Sequence, residues 1–330
     1  MGISDCMEVE MKAVVFAQTG SWLDTLALAE WDIGDPAPHE AQVRVLARPI
    51  NPSDKMFIQG VYRQRPQLPQ IAGLEGAGIV EKVGQGMDAG LVGKHVAFRA
   101  QGTWAERVNV PVQALRVIPD AILMEVGCQL SLNGMSAYAL LERAGLARGQ
   151  WLALSAANSS LGKLIVQLAK LRGIRVLALV RKPGNQPAML RLGADTVLLD
   201  DSPQLEQAII DATGGGAHAI LDAVGGKLGS TLIKAAAPAG KLILYGRLSP
   251  DGTELAYGDV IYKNLVIEGF GIDHWMASKS ARELDAIWQA LAESIAAGRL
   301  ALSYDRAFAL ADFKAAIACS ENAGGKVILA

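Results

Sequence analysis

The sequence of 330 residues predicts an α/β protein with two domains, one irregular and rich in β-strands and one built on a doubly wound parallel sheet. Three observations support this fold class. Short strand patterns separated by glycine and proline fill the chain up to about Pro119. Beyond it, apolar strand patterns alternate with helices that end in glycine, as a parallel sheet with crossover helices requires. The chain closes with an amphipathic helix and one further strand.

We assign residues 1–124 and 269–330 to the β-rich domain and residues 125–268 to the doubly wound domain. Two cores are expected, because a single core stops growing near this chain length. Strands of the β-rich domain are predicted at 12–16, 42–46, 78–83 and 95–98, and its C-terminal part contributes a helix at 281–297 and a strand at 326–329.

The doubly wound domain contains six apolar strand patterns, the number in a full nucleotide-binding sheet. A helix predicted at 161–172 follows the first strand, places Leu164, Leu168 and Leu171 on one face, and stops at Gly173. The six strands are predicted at 151–155, 174–180, 197–199, 219–222, 242–245 and 265–267.

Charge and composition favour a small-molecule partner. The chain has 31 basic and 33 acidic side chains and a formal charge of −2, which leaves no basic field to attract a nucleic acid or an anionic membrane. The apolar stretch at 164–180 is interrupted by bases, so no membrane span is predicted. Residues 1–10 carry acids where a secretory signal would need bases.

The three cysteines, Cys6, Cys128 and Cys319, are far apart and form no C-x-x-C pair. Neither a disulfide framework nor a zinc knuckle is therefore predicted, and the reducing cytoplasm is the expected compartment. Ser155, Ser159 and Ser160 do not lie in a G-x-S-x-G nucleophile elbow, which argues against a hydrolase.

The turn between the first strand of the second domain and its helix aligns with the dinucleotide motif G-x-G-x-x-G. Ala157 and Ser159 replace the first two glycines, and Gly162 keeps the third. Small residues are required there, because the backbone must turn tightly and point helix N–H groups at a pyrophosphate. A plain strand-to-helix turn is the alternative. The candidate cofactor-binding residues of this turn are Ala157, Asn158, Ser159, Ser160, Leu161 and Gly162.

The end of the second strand indicates which dinucleotide is bound. An NAD-specific enzyme usually carries an acid there for the ribose 2′-hydroxyl, whereas this chain has Arg181 and Lys182. A cationic pair can bind a 2′-phosphate, so we expect NADP(H) as the cofactor. The alternative is that both are ordinary solvated bases at a strand end.

Five motifs, in the same order along the chain, resemble landmarks of the medium-chain dehydrogenase/reductase superfamily, and the resemblance covers nearly the full length. It implies a GroES-like β-rich catalytic domain and a Rossmann domain that binds NADPH. The five motifs are Asn51-Pro52-Ser53-Asp54, Gly73-Leu74-Glu75-Gly76-Ala77-Gly78, Gly102-Thr103-Trp104-Ala105-Glu106, Leu192-Gly193-Ala194-Asp195 and Asp222-Ala223-Val224-Gly225-Gly226.

Zinc-dependent members of that superfamily have a cysteine and a histidine where this chain has Asn51 and Leu74. Asn51, Leu74 and the retained Glu75 cannot supply the ligand set that zinc needs, so no metal is expected. Glu75 is then interpreted as a structural hydrogen-bonding residue.

Within the zinc-independent branch, the chain is most similar to mitochondrial-type trans-2-enoyl thioester reductases and related quinone oxidoreductases. The run from Ile50 to Asp54 followed by Gln59-Gly60-Val61-Tyr62 resembles the stretch that carries their active-site tyrosine, which implies that role for Tyr62. The resemblance also implies further cofactor contacts at Asn133, Ser136, Tyr245, Gly246, Phe270 and Lys326, although a solvated surface base is the alternative for Lys326.

The chain departs from the enoyl reductases beside the expected substrate pocket. It has Gly269-Phe270-Gly271 where they have Gly-Phe-Trp, and Trp275 follows four residues later. Phe270 and Trp275 are candidates for the substrate pocket, with packing beneath it as the alternative. The missing indole would alter the pocket for the acyl group of a thioester.

The implied reaction adds a hydride from NADPH to a quinone or to the β-carbon of an α,β-unsaturated carbonyl. Tyr62 would donate a hydrogen bond to the oxygen that gains charge, since a phenol with a pKa of about 10 stays protonated at neutral pH. Asn51 and Asp54 are candidates to orient a water or the ribose, but Asn-Pro-Ser-Asp is also a common turn sequence. For Tyr62 the alternative is a loop aromatic that only covers the core.

The sequence is also compatible with two other functions. The chain could reduce quinones or simple alkenals without any thioester role, or it could be a non-catalytic NADPH-binding protein like the lens crystallins that this branch resembles. By the same likeness we expect a homodimer joined along the edge of the nucleotide-binding sheet.

Overall fold

The computed structural model describes residues 11–330, which divide into two compact units. Unit 1 contains the residues up to Leu132 together with Ser303–Ala330, and unit 2 is Asn133–Leu302. Cys6 and the acidic stretch at 1–10 lie outside the described residues.

The first part of unit 1 is built almost entirely of strands and short helices, as its dense glycines and prolines predict. Its elements are β1 (Met11–Phe16), α1 (Trp22–Thr25), β2 (Ala27–Trp31), β3 (Glu40–Pro49), α2 (Pro52–Ile58), β4 (Gln70–Ile71), β5 (Glu75–Val83), β6 (His95–Arg99), β7 (Arg107–Pro111), β8 (Arg116–Val117) and α3 (Met124–Gly127).

Unit 2 alternates strands and helices. Its elements are α4 (Met135–Ala144), β9 (Trp151–Leu154), α5 (Ser160–Leu171), β10 (Arg175–Val180), α6 (Gln186–Leu192), β11 (Thr196–Leu199), α7 (Leu205–Thr213), β12 (Ala217–Asp222), α8 (Gly226–Lys234), β13 (Ala236–Leu244), α9 (Tyr257–Tyr262), β14 (Val266–Gly269), α10 (Ile272–Ala277) and α11 (Ala281–Ala296).

The chain then returns to unit 1 with β15 (Tyr304–Phe308), α12 (Phe313–Ser320) and β16 (Lys326–Leu329). Strand β16 pairs antiparallel with the end of β3, with Ile328 opposite Pro49. The large sheet of unit 1 has the order β15-β16-β3-β5-β6-β8, with β7 also paired to β3, and a smaller sheet has the order β2-β1-β4. This pairing brings the last strand beside the segment that begins α2.

The six strands of unit 2 are all parallel and have the order β11-β10-β9-β12-β13-β14. The α/β class with a β-rich part and a doubly wound sheet is therefore confirmed. The order reverses between β9 and β12, and ligands of such sheets bind in the crevice at the carboxyl ends of the strands on either side of that point.

Two details differ from the sequence predictions. The return to unit 1 occurs at Ser303 and not near residue 269, because α10 and α11 pack on α4 of unit 2. In α5, Leu164 and Leu168 are buried but Leu171 is 55 % exposed. The buried face of that helix is carried instead by Ile165 and Ala169 beside the first two leucines.

Among residues 11–330, none of the helices combines the length and the apolar character needed to cross a membrane. Cys128 and Cys319 are both free thiols, and Cys128 is buried.

Candidate cofactor and catalytic sites

The turn after β9 has the tight backbone that its small residues predict. Ala156 adopts a left-handed conformation with φ of +48°. The N–H of Ala157 donates to the carbonyl of Leu179 in the neighbouring strand at 3.1 Å. Ser159 caps α5, because its hydroxyl oxygen accepts from the N–H of Gly162 at 3.0 Å. The first N–H groups of α5 have no acceptor within the helix, and they lie at the carboxyl edge of the sheet, where β9 ends.

Gly162 is the residue of this turn that tolerates no side chain. A Cβ there would lie 2.6 Å from the carbonyl oxygen of Ala157 and 2.7 Å from that of Ala156. The first turn of α5 therefore packs directly against the backbone of the loop, which is the close approach that the third glycine of the motif provides.

A buried hydrogen-bond network fixes the other side of the same crevice. The hydroxyl of Ser155 donates to Oδ1 of Asp222 at 2.6 Å and accepts from the N–H of Ala223 at 2.9 Å. The Asp222 carboxylate also accepts from the N–H groups of Val224 and Gly225, at 2.8 and 3.1 Å. The ends of β9 and β12 are thereby held together on either side of the point where the strand order reverses.

Two donors predicted to contact the cofactor are buried in unit 2 without a partner. Among residues 11–330, neither Nδ2 of Asn133 nor the hydroxyl of Tyr245 has a hydrogen-bond partner. Burial, and then the charge of Asp222, raise the pKa of Tyr245, so its hydroxyl stays a donor. Buried polar groups of this kind normally have partners. Together with the turn around Gly162, these donors fit a bound dinucleotide.

Two of the remaining predicted cofactor residues of unit 2, Gly246 and Phe270, lie at this edge of the sheet. Ser136 is buried on α4. Gly246 lies against the chain after β12, since a Cβ there would be 2.7 Å from the carbonyl oxygen of Ala223. Phe270 follows β14 directly, and its N–H donates to the carbonyl of Leu244 at 2.8 Å.

Arg181 and Lys182 are exposed directly after β10, at the same end of the sheet as the turn around Gly162. Asp200, which follows the neighbouring strand β11, lies within the electrostatic reach of Arg181. Burial and the charge of Asp201 raise the pKa of Asp200, and the charge of Arg181 opposes that rise. Arg181 therefore interacts electrostatically with Asp200 at this end of the sheet.

Trp275 is used for packing in unit 2, the alternative that the sequence left open for it. Its indole N–H donates to Oε2 of Glu142 on α4 at 2.8 Å. Its ring centroid lies 6.3 Å from that of Tyr138 on the same helix, and the Lys279 ammonium lies 5.3 Å from the ring centroid. The side chain is 8 % exposed.

Unit 1 contains a buried polar cluster, here called the Asn51 cluster, formed by Asn51, Asp54, Glu75 and Lys326. The Lys326 ammonium donates to Oδ1 of Asn51 at 2.6 Å and to the carbonyl of Ile50 at 3.3 Å. Nδ2 of Asn51 donates to Oε2 of Glu75 at 3.1 Å. Lys326 is only 9 % exposed, so the alternative of a solvated surface base is wrong for this residue.

The two carboxyl groups of the cluster have different partners. Oε1 of Glu75 accepts from the N–H of Leu132 at 2.6 Å, as the interpretation of Glu75 as a structural hydrogen-bonding residue predicts. Oδ2 of Asp54 accepts from the N–H of Asn51 at 2.7 Å, which caps the start of α2. Oδ1 of Asp54 is buried and has no partner among the described residues.

Burial dominates the electrostatics of the Asn51 cluster. It raises the pKa of Asp54 to about 7 and that of Glu75 to about 7, although the charge of Lys326 opposes both rises. Burial also lowers the pKa of Lys326, against the charges of Glu75 and Asp54. Because desolvation penalises every charged form, the cluster holds protons that exposed carboxyl groups would have lost at neutral pH.

Tyr62 lies in the loop after α2. Its N–H donates to the carbonyl of Met56 at 3.1 Å, and its partly buried ring packs against the core of unit 1. The guanidinium of Arg63 is 5.6 Å from the centroid of that ring.

Arg99 is a site residue that the sequence reasoning missed. It ends β6 directly opposite Glu75 in β5. Burial lowers the pKa of Arg99, while the Glu75 carboxyl and the Tyr62 phenol oppose that change, so its guanidinium lies near both groups. The signal that would identify it is the pairing register of β5 with β6, which no local motif reveals.

Of the predicted residues, the structure brings Asn51, Asp54 and Lys326 together in unit 1. Tyr62 lies outside this set, within the electrostatic range of Arg99. Within residues 11–330, no group of three or more His, Cys, Asp or Glu side chains could hold a metal ion.

Comparison with known families gives two matches that together span most of the chain. The family described as alcohol dehydrogenase GroES-like domain matches residues 37–120, and the family described as zinc-binding dehydrogenase matches residues 160–293. A curated relative is the mitochondrial enoyl-acyl-carrier-protein reductase of Dictyostelium discoideum. It is 29 % identical over 95 % of this chain and 92 % of its own length.

Solved structures give the same grouping. A Bacillus thuringiensis protein assigned as an NADPH:quinone reductase is 31 % identical, with a TM-score of 0.91 over 97 % of this chain and 99 % of its own. The quinone oxidoreductase of Escherichia coli, crystallised with NADPH, is 24 % identical and has a TM-score of 0.88 over 97 % of this chain and 99 % of its own. At 24 % identity, the similarity to the Escherichia coli protein shows the fold alone.

Proposed function

This chain is an oxidoreductase that belongs to the medium-chain dehydrogenase/reductase superfamily, in its branch of quinone and enoyl reductases, and we propose that it uses NADPH to reduce a quinone or the activated C=C bond of an α,β-unsaturated carbonyl. The observation that carries the proposal is the pair of buried, unpartnered donors of Asn133 and Tyr245 in the unit whose helix α5 begins at a glycine-tight turn.

In this proposal the nucleotide is held by unit 2. The first-turn N–H groups of α5 would bind its pyrophosphate, and Arg181 with Lys182 would bind its 2′-phosphate. Asn133 and Tyr245 would donate to its polar groups, which supplies the partners that these two donors lack within residues 11–330. When bound, NADPH supplies the hydride.

Tyr62 is the proposed catalytic residue. Negative charge develops on the substrate oxygen as the hydride adds, and a preorganised O–H donor aimed at that oxygen stabilises the transition state more than the ground state. The nearby cationic side chains of Arg63 and Arg99 favour negative charge at the same place. Asn51 and Asp54, which belong to the Asn51 cluster, remain the proposed residues that orient a water or the ribose.

The proposed reaction needs no zinc. The oxygen of Asn51 already accepts a hydrogen bond from the Lys326 ammonium at 2.6 Å, and this cation would repel a divalent ion bound at the same oxygen. Leu74 offers no ligand atom. We keep the cytoplasm as the proposed location, since Cys128 and Cys319 are free thiols.

The test is an assay of NADPH oxidation with 1,4-benzoquinone, a simple enone and crotonyl-CoA, with and without EDTA. The wild type should turn over at least one of them, with no effect of EDTA. Tyr62→Phe should lower kcat about 100- to 1,000-fold, the range for loss of one positioned hydrogen-bond donor.

Two results would count against this function. Tight NADPH binding without turnover of any of the three substrates would instead support the non-catalytic, crystallin-like alternative. Unchanged kcat in Tyr62→Phe would leave the tyrosine a structural residue. Tyr304→Phe, a change at a tyrosine of β15, is the matched control and should keep wild-type kcat.

A further inference from the structure

A cavity of about 550 Å³ lies in unit 1, and every residue that lines it belongs to that unit. This volume is in the range of small-molecule binding sites. Among the described residues that line it, none belongs to the Asn51 cluster or to the loop that carries Tyr62. The proposed reaction therefore gives this cavity no role.

The charged part of the lining is mostly basic. Among the described residues, the lining contains four bases and one acid, which are Lys12, Arg44, Arg48, Arg107 and Glu106. The carboxylate of Glu106 accepts from the backbone N–H of Lys12 at 3.0 Å. One acid does not neutralise four bases, so the interior of the cavity favours an anion.

Two of these arginines are held in place by a single carboxylate. Arg44 of β3 is directly opposite Arg107 of β7, and like charges at opposite positions destabilise a sheet. Glu81 of β5 compensates in part, because its two oxygens accept from Nε of Arg44 at 2.9 Å and from Nε of Arg107 at 2.7 Å. Since Glu81 carries one charge and binds both guanidinium groups through Nε, their terminal N–H groups can bind a second anion.

Arg48 is the buried arginine of the lining, with 2 % of its surface exposed. Within residues 11–330 its guanidinium forms no salt bridge and donates to backbone carbonyls instead. These bonds go to Val45, Thr103, Ala105 and Leu329, at 2.8, 3.1, 2.6 and 3.4 Å. Burial lowers the pKa of Arg48 to about 10, against the charge of Glu106. Because a buried charge without a counter-ion is costly, Arg48 also favours an anion in the cavity.

The cavity also has an apolar wall. Its leucine and alanine side chains come from β2, from β3 and from the segment between β15 and α12, and they include Leu28, Leu46, Leu310 and Ala311. A bare inorganic anion would leave these side chains in contact with water, whereas a ligand with a hydrocarbon chain would cover them.

From this lining we infer that the cavity of unit 1 binds a small monocarboxylic acid with an apolar chain, in addition to the nucleotide and the substrate of the proposed reaction. The carboxylate would accept from the terminal N–H groups of the lining arginines and balance the charge of Arg48. The chain would contact the leucines. This ligand has the two properties, one charge and a hydrocarbon body, that the lining offers partners for.

Isothermal titration calorimetry with three probes tests the ligand class. Octanoate has the carboxylate and the chain, octanamide has the chain without the charge, and acetate has the charge without the long chain. We expect Kd to be about tenfold or more higher for octanamide and for acetate than for octanoate, since charge-assisted hydrogen bonds and several buried methylenes each contribute at least this factor. Saturating NADPH should leave the Kd for octanoate unchanged.

Variants then place octanoate in the cavity. Arg44→Gln and Arg107→Gln should each raise its Kd about three- to tenfold, and Arg44→Lys, which keeps the charge, should recover part of that loss. Leu28→Ser should raise the Kd for octanoate about threefold or more and leave that for acetate unchanged. Lys94→Gln, at an exposed base before β6 and outside the lining, is the matched control and should bind octanoate like the wild type.

Several results would overturn this site. Octanamide or acetate binding as tightly as octanoate would remove the need for charge or for the chain. An unchanged Kd in both arginine variants would place octanoate outside the cavity, and a Kd that rises with NADPH would place it at the nucleotide site. Absence of any binding heat would also reject the inference. Because calorimetry needs no turnover, failure of the proposed reaction would leave these results as they stand.

Discussion

At the scale of single residues, Asp54 and Glu75 are carboxyl groups that the fold keeps from water. Burial raises the pKa of each to about 7. The native state therefore retains protons that the unfolded chain releases at a lower pH. The stability linked to these protons is fully present below the unfolded pKa of about 4 and is lost as the pH rises through about 7.

A substitution tests this linkage. In Glu75→Gln the side chain can still accept from Leu132 and cannot ionise. We expect the free energy of unfolding, measured with urea from about pH 4.5 to 7.5, to fall with pH by about 2 kcal/mol less in the variant than in the wild type. Glu206→Gln, an exposed change in α7, should keep the wild-type slope. Parallel curves for Glu75→Gln and the wild type would contradict the assignment.

Arg181 is the residue that we expect to set the preference for NADPH over NADH. If its guanidinium binds the 2′-phosphate, Arg181→Ala should lower kcat/KM for NADPH by about tenfold or more and leave that for NADH nearly unchanged, because NADH lacks this phosphate. Arg191→Ala, an exposed arginine of α6, serves as the control. A wild-type preference for NADH, or no loss with NADPH in the variant, would refute the role.

At the scale of elements, the turn before α5 depends on the absence of one Cβ. Gly162→Ala would place a methyl group within 2.7 Å of two loop carbonyl oxygens, so the loop or the helix must move. We expect the Kd for NADPH, measured by fluorescence titration, to rise about tenfold or more, and the free energy of unfolding to fall by about 1–3 kcal/mol.

Gly252→Ala provides the comparison for that change, because nothing lies within 4 Å of a Cβ at that position. It should bind NADPH and melt like the wild type. A Gly162→Ala protein with unchanged affinity would show that the helix start does not touch the nucleotide.

The positions of the strands are the part of the fold that the sequence predicts best. For five of the six parallel strands, the predicted bounds lie within two residues of the observed ones. The exception is β13, which begins six residues before its predicted start. Strand β16 runs from Lys326 to Leu329 as predicted. Apolar runs bounded by glycine carry that information locally. The pairing of Glu75 with Arg99 and the burial of Lys326 depend on strand register and on contacts between distant segments, which local patterns do not encode.

At the scale of the whole molecule, β14 forms one edge of the parallel sheet, and apolar side chains near it are exposed. Tyr262 is 89 % exposed and Ile261 69 %, both at the end of α9, and Val266 of β14 is 48 % exposed. Apolar groups beside an unpaired strand edge are typical of a surface that another copy covers. This is the edge at which we expect the homodimer to form.

Sedimentation equilibrium tests this expectation. The wild type should have the mass of a dimer at micromolar concentration, and a variant combining Ile261→Glu with Tyr262→Lys should have the mass of a monomer of 34.8 kDa. Leu190→Lys, at an apolar residue on α6 that is 51 % exposed, should stay dimeric. A monomeric wild type would remove the proposed interface.

The bond from Lys326 to Asn51 joins residues 275 positions apart. On the ribosome, β3 and the start of α2 are synthesised early. Lys326, whose ammonium donates to the buried side-chain oxygen of Asn51, is synthesised only after all of unit 2 has been translated. Unit 2 is continuous in sequence and can fold as soon as it leaves the exit tunnel. Unit 2 of the nascent protein should therefore become protease-resistant first, and unit 1, which carries Tyr62, only when the final strand has been released.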